Sequence, residues 1–496
     1  MPQLDDTTTA QLDALRTAIA EASGTTDSEP VDAAGPVGAA EPVRLAEPVG
    51  AAEPVGAAEP VRLAEPVDAV EPVRLAEPVD AVEPVRLAEP VDAVEPVRLA
   101  GPADVVGGVP ARFVAAPAST GQAAALLRAA AELGLSVVFQ GGGSRSDWGN
   151  PPRTLDMIVQ TRRLAGVVEH AAGDLIVVVR AGTPLAELQR TLAPAGQQLG
   201  LDDPLGGTVG GAVAVNGSGP RRMLYGTARD LLIGVTMVRA DGVVAHAGGK
   251  VVKNVAGYDL GKLVTGAYGT LGLVTECVFR LHPVPAARAY VRCHTAGAGT
   301  DGVGRQVAAV LGAQLVPAAL EVDAPPGGGH ETVLLLEGTP GGVTGRAAAA
   351  ARLLGAGAVW TDEAPPWWGR YPWRPGDTGL KLTGVLSGVP DLLAAARAAA
   401  DRHGLPIGVR GSAGTGVLYA GLSAAAHPDR VARIVEELRG AAAEAGGHAV
   451  VLTAPEPVRD RVDLWGPVDG LELMRRIKAQ FDPDARLAPG RFVGGI

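Results

Sequence analysis

The chain has 496 residues, with 43 Lys and Arg against 54 Asp and Glu, and its formal net charge is −11. This acidic balance argues against nucleic acid as a partner and against a polybasic membrane anchor. The two cysteines, Cys277 and Cys293, form no C-x-x-C pair, so neither a structural zinc site nor a cysteine-ligated iron–sulfur cluster is supported. The polar, acidic start and the lack of an apolar run of about 18 residues predict a cytoplasmic protein without a transmembrane helix.

Two different segments precede the globular part of the sequence. In residues 1–28, Leu12, Leu15 and Ile19 stand at helical spacing and predict a short amphipathic helix. Residues 29–106 follow as hexads of the form Glu-Pro-Val-x-x-x, and the repeated proline excludes a continuous helix. A hexapeptide β-helix is the alternative, but the hexads lack aromatic residues and place proline where ladder hydrogen bonds are needed. We therefore expect a disordered, extended linker.

Residues 107–286 change to a globular pattern of short helices and strands. Apolar spacing predicts a helix over residues 122–133 and a strand over residues 137–139, directly before a glycine-rich loop. Further strands are predicted over residues 157–159, 175–179, 232–238, 243–246 and 273–279, and a second helix over residues 184–192. A βαβ-like start with a mainly antiparallel second half predicts an α+β domain.

Three glycine-rich segments of this domain have the pattern expected of a ligand site. Glycine lacks a Cβ, so consecutive glycines let backbone N–H groups converge on an anion and let the main chain approach a flat ring. The first segment predicts a cradle for a diphosphate, with a tight turn after the strand as the alternative, and the second predicts an approach to a ring. The candidate residues are Gly141, Gly142, Gly143, Ser144, Arg145 and Gly149 in the first segment, Gly206, Gly207, Thr208, Gly210, Gly211 and Asn216 in the second, and Gly269, Thr270, Gly272 and Val274 in the third.

These segments stand among motifs that resemble a known family of flavoproteins. Residues 109–285 resemble the FAD-binding domain of the vanillyl-alcohol oxidase / p-cresol methylhydroxylase (PCMH) superfamily. Within them, residues 225–230, 253–260 and 266–276 are similar to the FAD-binding E subunits of bacterial glycolate oxidases. The resemblance implies FAD as the cofactor, an FAD-binding domain of two subdomains and a smaller α+β cap domain in residues 287–496, whose C-terminal tail returns to the flavin. It adds Gly226 and Asp230 to the candidate FAD-binding residues.

The same resemblance implies that the FAD is non-covalent and that no metal is bound. Ser144 stands near the place where many relatives with covalent flavin carry a histidine, and no cysteine follows the second segment before Cys277. Related D-lactate and glycolate flavoproteins carry the metal motif His-x-Gly-Asp-Gly-Asn-x-His. That motif does not occur in this sequence, and His403, His427 and His448 are isolated.

Residues 287–496 alternate strands and helices in the way a second α+β domain does. We predict strands over residues 318–322, 332–336, 380–383 and 417–420, and helices over residues 346–354, 392–401 and 428–444. The stretch 367–374, rich in aromatic residues and arginine, predicts an interface with a partner subunit or the packing of a lid, with substrate binding as the alternative. Lys381, Arg410 and Tyr419 are further polar candidates without a supporting spacing. The closing residues 474–492 are similar to the family's terminal helix and tail, with Ala488 in place of the usual Asn.

The resemblance implies an FAD-binding subunit of a glycolate oxidase-like complex that oxidises a small 2-hydroxy acid to a 2-oxo acid. Such a reaction requires a base, a cation for the carboxylate and hydride transfer to the flavin, and the sequence identifies no catalytic residue. Electrons are expected to pass to an iron–sulfur subunit, with a second flavoprotein subunit holding the metal-assisted substrate site. Three alternatives stay open: a self-sufficient FAD-dependent alcohol or 2-hydroxy-acid dehydrogenase, a non-catalytic FAD-binding assembly subunit, and a nucleotide-binding protein without a redox role.

Overall fold

The computed structural model describes residues 6–24, 95–250, 258–297, 299–355 and 357–496. The prediction of a disordered hexad linker concerns mainly residues 25–94, which lie outside the described residues, as do residues 253–257 of one family-like string. The described elements form a four-stranded, a five-stranded and an eight-stranded sheet with helices packed against them. Together these elements give the predicted α+β fold.

The predicted N-terminal helix is present as α1 (Asp6–Glu21), but it is not a separate domain. Leu12, Leu15 and Ile19 are buried in one hydrophobic cluster with residues of α2 (Thr120–Glu132). The predicted amphipathic helix is therefore confirmed, and its apolar stripe packs on the following domain. The physical reason is that a narrow apolar stripe on a short helix requires a partner surface, and the following domain provides it.

The first globular domain begins at residue 95 rather than at residue 107. Its first strands are β1 (Val97–Leu99), β2 (Val105–Val106), β3 (Val109–Pro110) and β4 (Phe113–Ala115). β1 pairs with β4 and β2 pairs with β3, both antiparallel, and Val97 and Val106 are each 1% exposed. The predicted linker boundary at residue 106 is therefore wrong. Pro96 precedes the first residue of β1, where its missing N–H removes no ladder hydrogen bond.

The four-stranded sheet has the predicted βαβ-like arrangement. Its order is β1-β4-β6-β5, with β5 (Val137–Gln140) and β6 (Met157–Gln160), and β4, β6 and β5 are parallel. Helix α2 connects β4 to β5, and the Ser119 side chain caps it by accepting a hydrogen bond from the backbone N–H of Gln122. The first glycine-rich segment leaves the carboxyl end of β5, the last strand of this sheet.

The five-stranded sheet is antiparallel and forms the second half of the domain. Its order is β11-β10-β12-β8-β7, and a short pair, β9 with β13, lies beside it. The strands are β7 (Val167–Ala171), β8 (Ile176–Arg180), β9 (Gln197–Gln198), β10 (Leu232–Val238), β11 (Val244–Gly248), β12 (Leu273–Arg280) and β13 (His282–Pro283). The helices are α3 (Leu185–Leu192), α4 (Val209–Ala214), α5 (Arg222–Tyr225), α6 (Ala228–Leu231) and α7 (Leu260–Val264). Side chains of α3, α4, α6 and α7 share one hydrophobic cluster with β8, β10 and β12.

The cap is an eight-stranded antiparallel sheet with four helices. The strand order is β17-β14-β16-β15-β19-β20-β18-β21. The strands are β14 (Ala287–Thr295), β15 (Ala319–Ala324), β16 (His330–Gly338), β17 (Val359–Thr361), β18 (Thr378–Thr383), β19 (Gly408–Ser412), β20 (Val417–Leu422) and β21 (Ala449–Thr453). The helices are α8 (Asp301–Gly312), α9 (Pro340–Leu354), α10 (Val389–His403) and α11 (Pro428–Glu444). One face of the sheet packs on these helices in a single hydrophobic cluster. The prediction included β15, β16, β18, β20, α9, α10 and α11 but missed the other elements.

After the cap, the chain returns to the first sheet. Helices α12 (Glu456–Arg459) and α13 (Leu471–Phe481) precede a tail in which Leu487 bridges to Val137 of β5 in parallel. The backbone N–H of Ala488 donates to Val137 O at 2.7 Å, so the tail extends the edge of the first sheet. Among the described residues, no helix combines the length and the apolar character that crossing a bilayer requires.

Candidate functional site

The first glycine-rich segment forms one wall of a cavity, here called the loop cavity. Its other walls include α4, Tyr268 and Arg491 of the C-terminal tail. None of the five backbone N–H groups of residues 141–145 donates a hydrogen bond within the described part of the chain. Consecutive backbone N–H groups that line one cavity are typical of an anion-binding site, so this row of free donors indicates a ligand rich in anionic oxygen.

The second segment touches the first through Thr208 and Gly141. Thr208 caps α4, because its Oγ1 atom accepts a hydrogen bond from the backbone N–H of Gly211 at 3.2 Å. A Cβ atom on Gly141 would collide with Thr208 Oγ1, so only glycine permits this approach. The contact holds the N-terminus of α4 against the first segment, and all three residues line the loop cavity.

Most backbone N–H groups of the second segment are, by contrast, paired within the protein. Those of Gly206, Val209, Gly210 and Gly211 donate to oxygen atoms of the protein. At Gly210 and Gly211, which line the cavities, the segment therefore presents main chain without side chains rather than free donors. This contrast agrees with two predictions from the sequence, that the first segment binds an anion and that the second lies against a flat ring. Both assignments stay predictions.

A second cavity, here called the sheet cavity, continues from the loop cavity. Both cavities are lined by Gly141 and Gly211. Of the third segment, Gly269, Gly272 and Val274 line the sheet cavity, and most of its other walls are apolar. An elongated space with free N–H donors in one part and apolar walls in another suits a ligand that joins phosphates to aromatic rings.

Arg145 of the first segment is already paired with Asp203. The two side chains form an ion pair in which they are 8% and 2% exposed. Burial lowers the pKa of Arg145, but the Asp203 carboxylate more than offsets this effect, so the net pKa is raised and the arginine stays charged. The guanidinium also lies over the Trp148 ring, 5.1 Å from its centroid. Arg145 therefore joins the first two glycine-rich segments, and the protein itself neutralises its charge.

Two residues of the loop cavity were missed by the sequence analysis. Arg491 is 6% exposed, and its Nη2 atom donates to the carbonyl oxygens of Ser146 and Trp148 at 3.0 and 2.6 Å. Burial lowers the pKa of Arg491 to about 10, against the opposing influence of Tyr268 and Asp147, so it is a cation at neutral pH. Tyr268 is the second missed residue, and burial raises its pKa to about 12. The resemblance of residues 474–492 to the family's tail was the signal that placed this region near the flavin, but it did not single out Arg491.

Seven candidate residues lie outside the lining of both cavities, namely Gly149, Gly206, Gly207, Asn216, Gly226, Asp230 and Thr270. Asp230 accepts hydrogen bonds from the backbone N–H and the hydroxyl of Thr227 at 2.8 and 2.9 Å and so caps α6. Asn216 Oδ1 accepts from the backbone N–H of Arg229, and Thr270 Oγ1 donates to a carbonyl of its own turn. These side chains hold local structure, and their assignment to the cofactor stays a prediction.

The face of the cap sheet opposite its helices carries polar side chains in register. In one row, Asp323, Arg410, Tyr419 and Lys381 stand side by side on β15, β19, β20 and β18. Arg410 Nε donates to Asp323 Oδ1 at 2.7 Å. Burial lowers the pKa of Lys381 to about 8, and a neighbouring arginine adds to the effect. Strand register thus assembles the three candidates that had no supporting spacing in the sequence.

A third cavity, here called the cap cavity, lies against this polar face. Pro204 and Arg222 line it from the first domain, and Glu321, Arg410 and Tyr419 line it from the cap. Both domains therefore contribute charged side chains to the same space. The sequence analysis missed Arg222 and Glu321, because neither residue belongs to a recognisable motif.

The aromatic stretch in residues 367–374 packs within the chain. Trp367 Nε1 donates to Glu331 Oε2 at 2.6 Å, and the ring of Tyr371 stacks on Trp373 with centroids 4.5 Å apart. Tyr371 also contacts Trp148 of the first glycine-rich segment edge-on, at 6.0 Å between centroids. These contacts favour the predicted lid packing over the partner interface.

The residues that line the three cavities include neither cysteine nor histidine. Cys277 is fully buried in β12, and burial raises the pKa of its thiol, so this side chain is not available to the cavities. Across the described ranges, no group of three or more His, Cys, Asp or Glu side chains is arranged to hold a metal ion. The chemistry of the lining therefore fits a ligand held by non-covalent contacts.

Comparison with known proteins assigns a class to this site. Residues 111–248 match the family described as an FAD binding domain, and residues 463–492 match the C-terminal domain of FAD linked oxidases. The free donors of the loop cavity suit the diphosphate of FAD, and the apolar walls of the sheet cavity suit its rings. Fold, cavities and matches together show an FAD-binding domain on a PCMH-type fold, in a chain related to FAD linked oxidases.

Proteins with similar sequences include a glycolate oxidase subunit and a D-lactate dehydrogenase. Glycolate oxidase subunit GlcE of Escherichia coli (strain K12) is 38% identical over 159 residues, which are 32% of this chain and 45% of that protein. The D-lactate dehydrogenase of Archaeoglobus fulgidus is 32% identical over 175 residues, which are 34% of this chain and 38% of that protein. The matched region therefore spans less than half of either relative.

Solved structures show the same fold at much lower identity. p-Cresol methylhydroxylase with substrate bound matches with a TM-score of 0.63 at 16% identity, over 77% of this chain and 89% of that one. The 4-ethylphenol oxidase from Gulosibacter chungangensis matches with a TM-score of 0.60 at 15% identity, over 77% of this chain and 89% of that one. At these identities the likeness establishes the fold alone, and it confirms the predicted PCMH-type architecture.

Proposed function

We propose that this chain is the FAD-binding subunit of a glycolate oxidase-like complex that oxidises a small 2-hydroxy acid to a 2-oxo acid. The observation that carries the proposal is the row of free backbone donors in residues 141–145, which faces a cavity shared with Thr208, Gly211 and Arg491. The similarity to GlcE supports the choice of complex. When bound, FAD supplies the acceptor for the hydride that the substrate carbon loses.

We assign different parts of FAD to different residues of the chain. In this proposal, the backbone of residues 141–145 binds the diphosphate, and Arg491 adds a positive charge nearby. The main chain around Gly210 and Gly211 lies against a ring, because their N–H groups are already paired and no side chain intervenes. Gly269 and Val274 line the apolar extension. The seven candidates outside both cavities, among them Asn216 and Asp230, act on the cofactor only through the turns that they stabilise.

The cap and the adjoining part of the first domain supply the positive charge that a 2-hydroxy acid requires in addition to a flavin. Arg222, Arg410 and Lys381 are cations near the cap cavity, and a carboxylate substrate requires such a partner. Tyr371 and Trp148 meet edge-on between the cap and the first glycine-rich segment. This aromatic contact excludes water from the space between the domains, which strengthens charge interactions inside it.

Electrons are proposed to leave through partner subunits. The chain has two cysteines, both buried, so the proposal assigns a redox centre such as an iron–sulfur cluster to another chain. Two relatives are named as subunits of glycolate oxidase, GlcE of Escherichia coli and GlcD of Bacillus subtilis. The proposal therefore includes a second flavoprotein subunit and an iron–sulfur subunit as partners.

The first test is the visible spectrum of the purified chain before and after acid precipitation, with added FAD if the protein is colourless. A flavin spectrum is expected, and the flavin should move wholly into the acid supernatant because it is not covalently attached. A chain that neither carries nor takes up FAD would overturn the proposal and favour a nucleotide-binding protein without a redox role.

The second test is anaerobic mixing with glycolate or D-lactate. Bleaching of the flavin only in the presence of co-purified partner subunits supports the proposal. Bleaching of the isolated chain, with turnover on a dye acceptor, favours the self-sufficient dehydrogenase. Photoreduction by light without bleaching by any 2-hydroxy acid, alone or in the complex, favours a non-catalytic assembly subunit.

A further inference from the structure

The cap cavity contains charged groups that FAD binding leaves unused. Glu321, on a central strand of the cap sheet, is 5% exposed, and Arg222 of α5 lines the same cavity. In the part of the chain that the structure describes, Glu321 Oε1 and Arg222 Nη1 are buried and have no hydrogen-bond partner. Buried polar atoms are seldom left unpaired. An acceptor and a donor without partners on one cavity therefore indicate a polar ligand.

The surroundings of Glu321 favour its neutral form. Burial raises the pKa of Glu321 to about 8, and the lowering influences of the Ser412 hydroxyl and of two arginines do not compensate. At neutral pH the carboxyl group therefore holds a proton, which makes it able to donate a hydrogen bond to a ligand. The charged and titratable groups that face it from the neighbouring elements are Arg222, Asp202, Arg410, Lys381 and Tyr419.

We propose that the cap cavity binds a small carboxylate, with Arg222 as its ion-pair partner and the protonated carboxyl of Glu321 as a hydrogen-bond donor to one of its oxygens. The assignment deepens the proposed function and rests on it for the class of ligand, since a 2-hydroxy acid carries such a carboxylate. Arg410 is less suited as the partner, because it already donates to the Asp323 carboxylate and to the carbonyl of Arg370. Arg222 has the unused donor.

Binding of a carboxylate in the cap cavity should be coupled to the protonation of Glu321. Two carboxylates at one site cannot both be ionised without strong repulsion, so a bound carboxylate keeps the proton on Glu321. Once the free site has lost that proton at higher pH, each binding event must take a proton up. The affinity should then fall about tenfold for each pH unit above about 8.

The test is calorimetric titration of oxalate into the FAD-loaded full chain at about pH 7, 8 and 9. Oxalate is a two-carbon carboxylate without an oxidisable C–H bond, so binding is measured without turnover. The wild-type chain should bind oxalate with uptake of about one proton at the highest pH. Comparison of two buffers with different ionisation enthalpies measures that uptake directly.

Three variants separate the roles of the two residues. Arg222→Met removes the charge and should weaken binding about 10- to 100-fold, while Arg222→Lys should retain most of the affinity. Glu321→Gln keeps an amide donor but removes the carboxyl group that takes up the proton, so oxalate binding at the highest pH should be accompanied by clearly less proton uptake than in the wild-type chain. Any pH dependence that remains is that of Lys381. Flavin absorbance verifies that each variant is folded and loaded with FAD.

Glu337→Gln is the matched control. Glu337 is another buried carboxyl of the cap sheet, but it accepts a hydrogen bond from the Tyr225 hydroxyl at 2.9 Å and does not line the cap cavity. It also lies 3.9 Å from Arg221, which keeps the closer carboxylate of Asp202, at 2.7 Å, when Glu337 is replaced. The amide retains an acceptor for that bond. This variant should reproduce the oxalate affinity, the proton uptake and the pH dependence of the wild-type chain.

The outcomes separate this inference from the proposed function. Binding of oxalate that does not vary with pH, or that is equal in Arg222→Met, overturns the inference, and so does an FAD-loaded chain that binds no oxalate. Those results leave the proposed function standing if glycolate still reduces the flavin in the complex. Conversely, proton-coupled oxalate binding in a complex whose flavin no 2-hydroxy acid reduces supports the carboxylate site and overturns the proposed reaction.

Discussion

Arg145 of the first glycine-rich segment and Asp203, which precedes the second, form an ion pair that is almost completely buried. The same arginine donates to the carbonyl of Gly206, and the same carboxylate accepts from the backbone N–H of Leu205. The pair therefore fixes the distance between two backbone segments that have few side chains of their own. Because Asp203 already pairs with this positive charge, the proposed function assigns the diphosphate to backbone donors and to Arg491.

Asp203→Asn should destabilise the protein and lower its FAD content. The substitution preserves the shape of the side chain but leaves the Arg145 guanidinium buried without a counter-charge, which costs about 3–5 kcal/mol in other proteins. The free energy of unfolding in urea and the flavin-to-protein ratio measure the effect. Glu169→Gln is the control, because its partner Lys250 is exposed, and the change should stay within about 1 kcal/mol. Equal losses in the two variants would contradict the structural role of the buried pair.

Gly141→Ala should disrupt the contact between the first segment and α4. The added methyl group would meet the Thr208 hydroxyl, which caps α4, so the segment or the cap must move. We expect a loss of about 1–3 kcal/mol in stability and at least a tenfold weaker FAD affinity. Gly173→Ala is the control, because a Cβ atom there meets nothing within 4 Å. The dissociation constant for FAD, measured by fluorescence quenching of apoprotein and FAD, compares the two. An affinity unchanged in Gly141→Ala would show that this approach is not required.

The glycine-rich segments were predictable because the relevant property is local. The lack of a Cβ atom at Gly141 follows from the residue type alone and does not depend on the rest of the fold. The polar row of Lys381, Arg410 and Tyr419 was not predictable in the same way. These residues come from three strands and become neighbours only when β18 pairs with β20 and β20 with β19. Single-strand periodicity contains no information on that register.

The misplaced linker boundary has a physical cause. The hexad that begins at Glu95 has the composition of the preceding repeat, yet its valine is buried because β4 provides a pairing partner. The residue types of this hexad allowed two structures, and tertiary contacts decided between them.

Lys478→Met should detach the C-terminal tail from the third glycine-rich segment. The Lys478 ammonium donates to the Thr270 and Leu487 carbonyls, both at 2.8 Å, and to the buried Asp482 carboxylate at 2.6 Å. Methionine would leave Asp482 charged, buried and without its ion-pair partner, so we expect a loss of about 3–5 kcal/mol. Protection of the Leu487 amide in hydrogen exchange and the free energy of unfolding report the effect.

Arg476→Met on the same helix is the control for the tail. Arg476 is exposed, so its replacement should change stability by less than about 0.5 kcal/mol. A larger effect of Arg476→Met than of Lys478→Met would exclude the buried cluster as the anchor. Loss of the anchor should also lower FAD affinity, because Arg491 reaches the loop cavity from the tail.

The stability of the folded chain should depend on pH through Glu321. Its pKa is raised by burial to about 8, whereas the unfolded chain has the ordinary value for glutamate. Between these two values the folded state holds one more proton than the unfolded state, so its stability falls as the pH rises. In that window the free energy of unfolding falls by up to ~1.4 kcal/mol per pH unit. Above about pH 8 both states are ionised, and Glu321 no longer makes the stability depend on pH.

Glu321→Gln removes the titration without removing the side-chain volume. Urea unfolding at about pH 5.5, 7 and 8.5 should therefore give a smaller decline for the variant than for the wild-type chain, and parallel curves would show that Glu321 is already ionised in the folded state at neutral pH.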